Sequence, residues 1–206
     1  TENEDQEPAV PRDTEDQELE ITADANFDGT NLWYGKQVSK GFRDKVVTIA
    51  SDLNMNPNHL MIIMNFESGG SFDPAQRNLS GSSATGLIQF MPSTAVALGT
   101  TTEALAGMTA EAQLDYVKKY YEQSGKVGKI ESLDDAYLVV LYPALVGKSD
   151  DKVFGDKDGN TRSQKIYQQN SGFDKNNDGK ITKKEIASTI RNQKRLEQGF
   201  KQRGEL

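Results

Sequence analysis

Apolar residues recur at intervals of three and four along much of the chain, which is the pattern of amphipathic helices. The first such run ends near the turn NMNPN at 54–58, where asparagines and a proline break the pattern. It predicts one helix, with an apolar face formed by Val38, Phe42, Val46, Ile49, Ala50 and Leu53.

A second helix is predicted directly after that turn. Asn56 is placed to cap it, and Pro57 suits its first turn because the missing N–H is not needed there. The apolar run ends at Glu67, and Gly69-Gly70 then stops the helix. Since Glu67 follows Ile63 by four residues and Met64 by three, its carboxyl should project from the apolar side. Such a carboxyl is expected to resist ionisation.

Helical signals continue through the middle of the chain. Pro92 is expected to open a further helix, and Thr109 to cap the helix that carries Leu114, Val117 and Tyr121. Another helix is predicted from 134 to 141, ending at Pro143. No run alternates as a half-buried strand would, so the predicted fold class is all-α.

Composition restricts the chemistry that the chain can perform. Its 206 residues are 35% hydrophobic, enough for one good core. There is no cysteine and only one histidine, His59, which excludes a thiol nucleophile and a multi-histidine metal site. Catalysis would therefore rest on carboxylates, hydroxyls and amides.

The negative charge is concentrated at the N-terminus. Residues 1–25 hold ten Asp or Glu against one Arg, whereas the whole chain has a net charge of −7. This predicts an acidic, disordered or partner-bound extension over residues 1–30. No basic stripe indicates nucleic-acid binding, and no segment predicts a membrane span. Residues 1–20 also lack the pattern of a signal peptide, so we expect delivery by other means.

Three motifs together resemble a known family. FESGGSFDP at 66–74, GSSATGLIQFMPSTA at 81–95 and LYPA at 141–144 are similar to motifs of lysozyme-like lytic transglycosylase domains, which are common in bacteriophage virion proteins. The resemblance covers roughly residues 33–150, and the segment 167–186 often follows such domains. It implies a lysozyme-like helical fold.

The resemblance also implies an activity. Such enzymes cleave the β-1,4 bond between N-acetylmuramic acid and N-acetylglucosamine in peptidoglycan glycan strands, leaving a 1,6-anhydro sugar. Glu67 would first protonate the leaving oxygen and then, as carboxylate, remove the C6 hydroxyl proton. One carboxyl suffices, and catalysis needs no cofactor. The expected setting is a virion, with tail or baseplate proteins as partners and the host periplasm or cell wall as the place of action.

By the same resemblance, the substrate site would contain Ser68, Gln89, Phe90 and Tyr142, with Tyr142 supporting Glu67. Gln89 could instead be a polar residue that serves the structure. Related domains carry Ala-Tyr-Asn-Ala where this chain has Leu141-Tyr142-Pro143-Ala144, so no contact through that asparagine is expected. The tyrosines at 120, 121 and 137 could lie in the core or form walls of the cleft, and the core is the preferred interpretation.

Asp73 offers an alternative mechanism. As a second carboxylate near Glu67 it could position water for hydrolysis, which would make the protein a muramidase. The simpler interpretation is that Asp73 initiates a turn before Pro74. A non-catalytic tail component with a lysozyme-like fold is a further alternative.

A second strong motif, DKNNDGKITKKE, fills residues 174–185. It has the twelve-residue spacing of an EF-hand calcium loop, with Gly179 at the sharp turn and Ile181 as the apolar anchor. The expected ligands are Asp174, Asn176, Asp178, the Lys180 carbonyl and Glu185, with Thr182 at position nine. Calcium is therefore predicted as a structural ion.

The flanks of this loop look unequal. The entering segment 166–173 contains Ser171-Gly172 and does not predict a full amphipathic helix, whereas the exit helix should continue to about Leu196. Two other acidic stretches, at 24–29 and 156–160, lack a complete ligand pattern and are predicted to be turns. The predicted organisation is an extension over 1–30, a catalytic domain over 31–150, and a segment over 151–206 with the calcium loop and a terminal helix.

Overall fold

The computed structural model describes residues 21–22, 24–78 and 81–206. This part of the chain is mostly helical, as predicted. The α-helices are α1 (Lys40–Asp52), α2 (Pro57–Glu67), α3 (Pro92–Ala97), α4 (Thr102–Ala106), α5 (Ala110–Gln123), α6 (Leu133–Leu141), α7 (Thr161–Asn170), α8 (Lys183–Ile190) and α9 (Gln193–Lys201). The 3₁₀ turns are Gly35–Gln37, Pro143–Leu145 and Ser171–Phe173.

Two small antiparallel sheets correct the all-α expectation. Strand β1 (Asn31–Leu32) pairs with β4 (Gly204–Glu205), and β2 (Val153–Asp156) pairs with β3 (Lys180–Thr182). Strands of two to four residues are too short to show a period of two in the sequence, which explains why the pattern did not predict them.

The second helix begins at the cap that the sequence predicted, and the first begins at Ser39, which was not predicted. The Ser39 side chain accepts a hydrogen bond from the Phe42 N–H in α1 (3.0 Å), and the Asn56 side chain accepts from the Asn58 N–H in α2 (3.0 Å). The end of α2 is closed by Gly70, whose N–H donates to the carbonyl of Asn65 (2.7 Å). Gly70 has a φ of 87°, in the left-handed region that favours glycine.

Helix α2 lies at the centre of the molecule. Every residue from Pro57 to Asn65 is buried, and α1, α6, α8, α9 and β1 pack around it. Six of these nine residues are apolar, which suits a helix that is buried on all sides. Because α2 runs through the core, Glu67 emerges from buried surroundings.

The C-terminal segment packs on this same core. Lys183 of α8 pairs with Asp135 of α6 (3.6 Å), and both side chains are largely buried. Arg191 pairs with Asp134 (2.5 Å) and with Asp24 (2.6 Å). The domain boundaries at residues 30 and 150 stay predictions, but the segment that follows residue 150 contributes buried residues, among them Ile181, Ile186, Ile190 and Leu196.

The flanks of the 174–185 loop differ from the expectation. A ten-residue helix, α7, enters the loop, where the sequence predicted no full amphipathic helix. Its cap is Asn160, which accepts a hydrogen bond from the Ser163 N–H (3.0 Å). The backbone of α7 lies close to β2, because a Cβ on Gly155 would come within 2.8 Å of the Tyr167 nitrogen. The exit helix is shorter than predicted, ending at Ile190.

Both acidic stretches that were predicted to be turns are turns. The Asp28 carboxylate accepts from the Thr30 N–H (2.7 Å), and the Asp156 carboxylate accepts from the Asp158 N–H (2.9 Å). Most of the predicted N-terminal extension, residues 1–20, lies outside the described residues. Among the described helices, none is both long and apolar enough to cross a bilayer.

Candidate active site

Glu67 is the last residue of α2, and its environment favours the protonated carboxyl. Burial raises the pKa of Glu67 to about 7, and the positive charge of Arg195 opposes that rise. A carboxyl with this pKa is about half protonated near neutral pH and can still release its proton. It therefore has the properties of a general acid that can later act as a base.

Three tyrosines surround this carboxyl. The negative charge of Glu67 adds to the effect of burial in raising the pKa of Tyr120, Tyr121 and Tyr137. The hydroxyl of Tyr121 donates to the Ala136 carbonyl (2.9 Å), and that of Tyr120 donates to the Val139 carbonyl (3.0 Å). These two hydroxyls hold α5 against α6, in keeping with the core role predicted for them.

Tyr137 is different. Its ring packs edge-on against Phe66, the residue before Glu67, with 5.5 Å between the ring centroids. The side chain is 3% exposed, and its hydroxyl forms no hydrogen bond with any other described residue. A buried phenol with a free hydroxyl beside a carboxyl can donate to that carboxyl or to a substrate.

Arg195 brings a positive charge from the C-terminal helix α9 to the end of α2. Its guanidinium carbon lies 4.3 Å from the centre of the Phe66 ring, a cation–π contact. One guanidinium nitrogen, Nη1, donates to the Thr189 carbonyl (2.9 Å), and the hydroxyl of Tyr34 donates to the Arg195 carbonyl (2.5 Å). Both ends of the residue are thereby fixed beside the candidate acid.

Gln89 lies in a tight turn. The backbone of Thr85 exchanges two hydrogen bonds with that of Phe90 (3.1 and 2.8 Å), and Gln89 between them has a φ of 54°. A non-glycine residue in the left-handed region indicates a constrained position. The Gln89 side-chain nitrogen donates to the carbonyls of Gly86 (3.0 Å) and Gln76 (3.2 Å). Its side-chain oxygen forms no hydrogen bond with the described residues, so it can accept one from a substrate.

Gln113 of α5 holds this turn in place. Its side-chain oxygen accepts from the Leu87 N–H (2.7 Å), and its nitrogen donates to the carbonyls of Pro74 (3.0 Å) and Leu105 (2.9 Å). The residue is fully buried. A Cβ on Gly86 would lie 2.3 Å from this side chain, which explains the glycine at that position.

Two residues expected in the substrate site are buried and bonded internally. The Ser68 hydroxyl donates to the Met64 carbonyl (2.6 Å) and accepts from the Phe72 N–H (2.9 Å), with no exposed surface. The ring of Phe90 is 2% exposed and packs edge-on against Tyr120. These contacts favour a structural role for both over the predicted contact with the sugar.

Tyr142 lies among residues that follow the predicted catalytic domain. Its ring packs against Phe154 of β2, with 4.9 Å between centroids, and its hydroxyl accepts from Arg162 of α7 (3.2 Å). Sequence similarity assigned Tyr142 to the support of Glu67. The structure favours Tyr137 for that role, because Tyr137 contacts the residue next to Glu67.

Asp73 forms the turn that the simpler interpretation described. Its carboxylate accepts from the Ala75 N–H (2.8 Å), and its carbonyl accepts from the Gln76 N–H (3.1 Å). These bonds do not favour a second catalytic carboxylate.

The 174–185 loop is held by hydrogen bonds to its carboxylates. Asp174 accepts from the Tyr167 hydroxyl (2.7 Å) and the Gly179 N–H (3.0 Å), which lower its pKa. Glu185 accepts from the Lys175 N–H (3.0 Å) and the Thr182 N–H (2.9 Å) and forms a capping box for α8.

The donors of this loop suit calcium, although its carboxylates alone do not form a metal-binding cluster. Carboxylate, amide and carbonyl oxygens are the ligands that calcium prefers. Within the described residues, no group of three or more Asp, Glu, His or Cys side chains is arranged to hold a metal. Any ion would also need Asn176 and the Lys180 carbonyl, and would compete for a Glu185 carboxylate that now caps α8.

The central part of the chain matches a known family model. The model of the Transglycosylase SLT domain matches residues 47–119, less than half of the chain. This stretch includes Glu67, Gln89 and Gln113 and agrees with the lysozyme-like resemblance of the motifs. The match points to a glycosidase of the lytic transglycosylase type that acts on peptidoglycan. No curated protein matches the chain.

The sequence did not single out Arg195 or Gln113, and the preferred interpretation of Tyr137 was a core residue rather than a neighbour of Glu67. Gln113 and Tyr137 stand within ordinary helical patterns, where a polar or aromatic residue carries no separate signal. Arg195 lies far from Glu67 along the chain, and their proximity depends on how α9 packs against α2.

Proposed function

We propose that this protein is a peptidoglycan lytic transglycosylase in which Glu67 serves as acid and then as base. The observation that carries the proposal is the position of Glu67. It ends a buried helix, its pKa is raised to about 7, and it lies in the stretch matched by the SLT model. Perturbed carboxyls in such positions are enriched at catalytic sites.

The reaction needs one protein carboxyl. Glu67 gives its proton to the glycosidic oxygen as the bond from C1 of N-acetylmuramic acid to that oxygen breaks. The resulting carboxylate then takes the proton of the C6 hydroxyl of the same sugar, and O6 bonds to C1. No water is consumed, so the product is a 1,6-anhydro sugar. The substrate's own N-acetyl group stabilises the positive charge at C1.

Neighbouring residues have separate tasks in this proposal. The side-chain oxygen of Gln89 accepts a hydrogen bond from the acetamido N–H or a sugar hydroxyl. The Tyr137 hydroxyl donates to the Glu67 carboxylate formed after the first step. Arg195 limits the rise of the Glu67 pKa, so that the carboxyl can release its proton near neutral pH.

Calcium is proposed as a structural ion of the 174–185 loop. Asp174, Asn176, Asp178, the Lys180 carbonyl and Glu185 supply the oxygens of an EF-hand pattern. When bound, the ion would offset the repulsion between the carboxylates and hold α7 and α8 together. No step of the reaction passes through it.

A role in penetration of a bacterial wall by a phage particle is proposed from the motif resemblance. The protein would then be a tail or baseplate component acting in the periplasm or wall. Mass spectrometry of purified particles should detect this chain. Its absence from particles, together with abundance in infected lysate, would favour a soluble endolysin.

The products from purified sacculi test the proposed reaction directly. A transglycosylase releases muropeptides that end in 1,6-anhydro-muramic acid, one water lighter than the products of a muramidase. Anhydro products are expected. Muropeptides with a free reducing end would indicate a muramidase. If no muropeptides are released, the protein would be a wall-binding protein without catalytic activity.

A further inference from the structure

A polar cleft lies beside the end of α2, on the side that faces α9. Its volume is about 510 Å³, and it is open to solvent. Phe66, Gly69 and Gly70 form one wall, and Asn192, Lys194 and Arg195 form the other. Glu67 is not part of the lining, so the cleft is a neighbour of the candidate catalytic centre.

Asn65 presents a polar side chain to this cleft. The residue is 8% exposed and lines the cleft, yet its side-chain amide forms no hydrogen bond with any other described residue. The amide atoms are not buried without a partner, so they are open to the cleft and to solvent. An amide or carboxylate that enters the cleft can hydrogen-bond to this side chain.

The charge of the cleft indicates which ligand it would take. Lys194 and Arg195 are the charged side chains of its lining, and none of the described lining residues is acidic. The remaining polar side chains, on Gln37, Asn65, Asn192 and Gln198, are amides, which both donate and accept.

The backbone at the end of α2 leaves room for such a ligand. A Cβ on Gly69 would meet nothing within 4 Å, and one on Gly70 would meet only the Asn65 amide nitrogen at 3.7 Å. Both glycines are exposed. A ligand can therefore approach the main chain at the point where α2 presents Glu67.

We propose that this cleft binds the peptide stem of the peptidoglycan strand while the glycan lies at Glu67. The stem has amide groups, which match Asn65 and the other amides, and free carboxylates, which match Lys194 and Arg195. This inference rests on the proposed function and adds a substrate feature to it. The C-terminal helix α9 thus selects strands that still carry peptides.

The test compares two substrates in parallel: glycan strands with intact stems, and the same strands stripped of peptide by an amidase. Asn65→Leu removes the amide at similar size, and Lys194→Gln removes an exposed charge. Each should lower the ratio of kcat/KM for intact over stripped strands, by about fivefold to tenfold. Lys201→Gln, also on α9 but outside the lining of this cleft, should leave the ratio unchanged.

A binding measurement separates this inference from the proposed reaction. Calorimetry with a soluble stem-bearing muropeptide should give a Kd that rises by a similar factor in Lys194→Gln, whether or not the protein cleaves the glycan. An unchanged ratio and an unchanged Kd in Lys194→Gln would overturn the peptide site and leave the catalytic proposal standing. Failure of the wild-type protein to cleave, with the Kd effect present, would overturn the reaction and not the cleft.

Discussion

The guanidinium carbon of Arg195 lies 4.3 Å from the centre of the Phe66 ring, next to Glu67. This contact joins the C-terminal helix to the end of the central helix. It places a positive charge near a carboxyl whose pKa burial raises to about 7. Helix α9, which lies outside the matched residues 47–119, is therefore part of the electrostatic environment of Glu67.

Removing that charge should move the pH dependence of activity. Arg195 lowers the pKa of Glu67 against the effect of burial, so Arg195→Gln should raise this pKa further. Since the reaction starts from the protonated acid, the loss of activity on the alkaline side should shift to higher pH. The measurement is kcat/KM on soluble glycan fragments across the neutral range.

A matched arginine provides the control for this shift. Arg203 stacks on Phe200 with 3.5 Å from its guanidinium carbon to the ring centre, and it does not contribute to the shift in the pKa of Glu67. Arg203→Gln should keep the wild-type profile. An alkaline limb that stays in place in Arg195→Gln, or moves equally in both variants, would contradict the assigned electrostatics.

Glu67 should also make folding stability depend on pH. Its folded pKa of about 7 lies above the ordinary value of 4.5, so the folded state favours the protonated form. The resulting stabilisation is complete below about pH 4.5 and is lost as the pH rises through about 7. Relative to Glu67→Gln, the wild type should lose up to roughly 3 kcal/mol over this range.

Urea unfolding of both proteins at several pH values measures this difference. The other titrating groups are common to the two proteins, so the difference in free energy isolates Glu67. A difference that stays constant from about pH 4.5 to about pH 8 would show that the carboxyl is not perturbed.

The packing of α9 against the core should tolerate no side chain at Gly199. A Cβ at this position would lie 2.6 Å from a ring carbon of Tyr34, which is fully buried. Gly199→Ala should therefore lower stability by about 1–3 kcal/mol, although alanine normally favours a helix. Thermal unfolding would show the change.

Gly172 is the matched control, because a Cβ there would meet nothing within 4 Å. Gly172→Ala should leave the melting temperature close to that of the wild type. Equal effects of the two substitutions would argue against the close contact between α9 and Tyr34.

The sequence predicts the parts of this site that depend on contacts between residues close together in the chain. The cap at Asn56 and the stop at Gly70 act within a few residues, so the ends of α2 and the position of Glu67 in its last turn follow from local patterns. The positions of Tyr137 and Arg195 depend on how α6 and α9 pack around α2, and local patterns do not specify this. For the same reason, the motif resemblance assigned the support of Glu67 to Tyr142, whereas the structure favours Tyr137, which packs against Phe66.

Calcium should raise the stability of the folded state without being needed for catalysis. A ligand present at a hundredfold excess over its Kd adds about 2.7 kcal/mol, so calcium should raise the melting temperature clearly and a chelator should lower it. Glu185→Gln keeps an acceptor for the α8 cap but removes a charged ligand. Its melting temperature should not respond to calcium.

Activity on soluble glycan fragments tests whether calcium is needed for catalysis. This activity should persist after chelation at temperatures below the melting temperature of the calcium-free protein. If the melting temperature of the wild type does not change with calcium, the proposed structural calcium ion is wrong. Loss of activity on chelation while the fold persists would place the metal near the catalytic centre instead.

The central claim is that Glu67 is the general acid, and turnover of purified sacculi by Glu67→Gln tests it most directly. Glutamine keeps the shape but has no proton to transfer, so release of muropeptides should fall by at least about 10²–10⁴-fold while binding to sacculi is retained. Asp73→Asn, which alters only the turn carboxylate, should keep near-wild-type turnover. Near-normal release by Glu67→Gln, or complete loss in Asp73→Asn, would contradict the account.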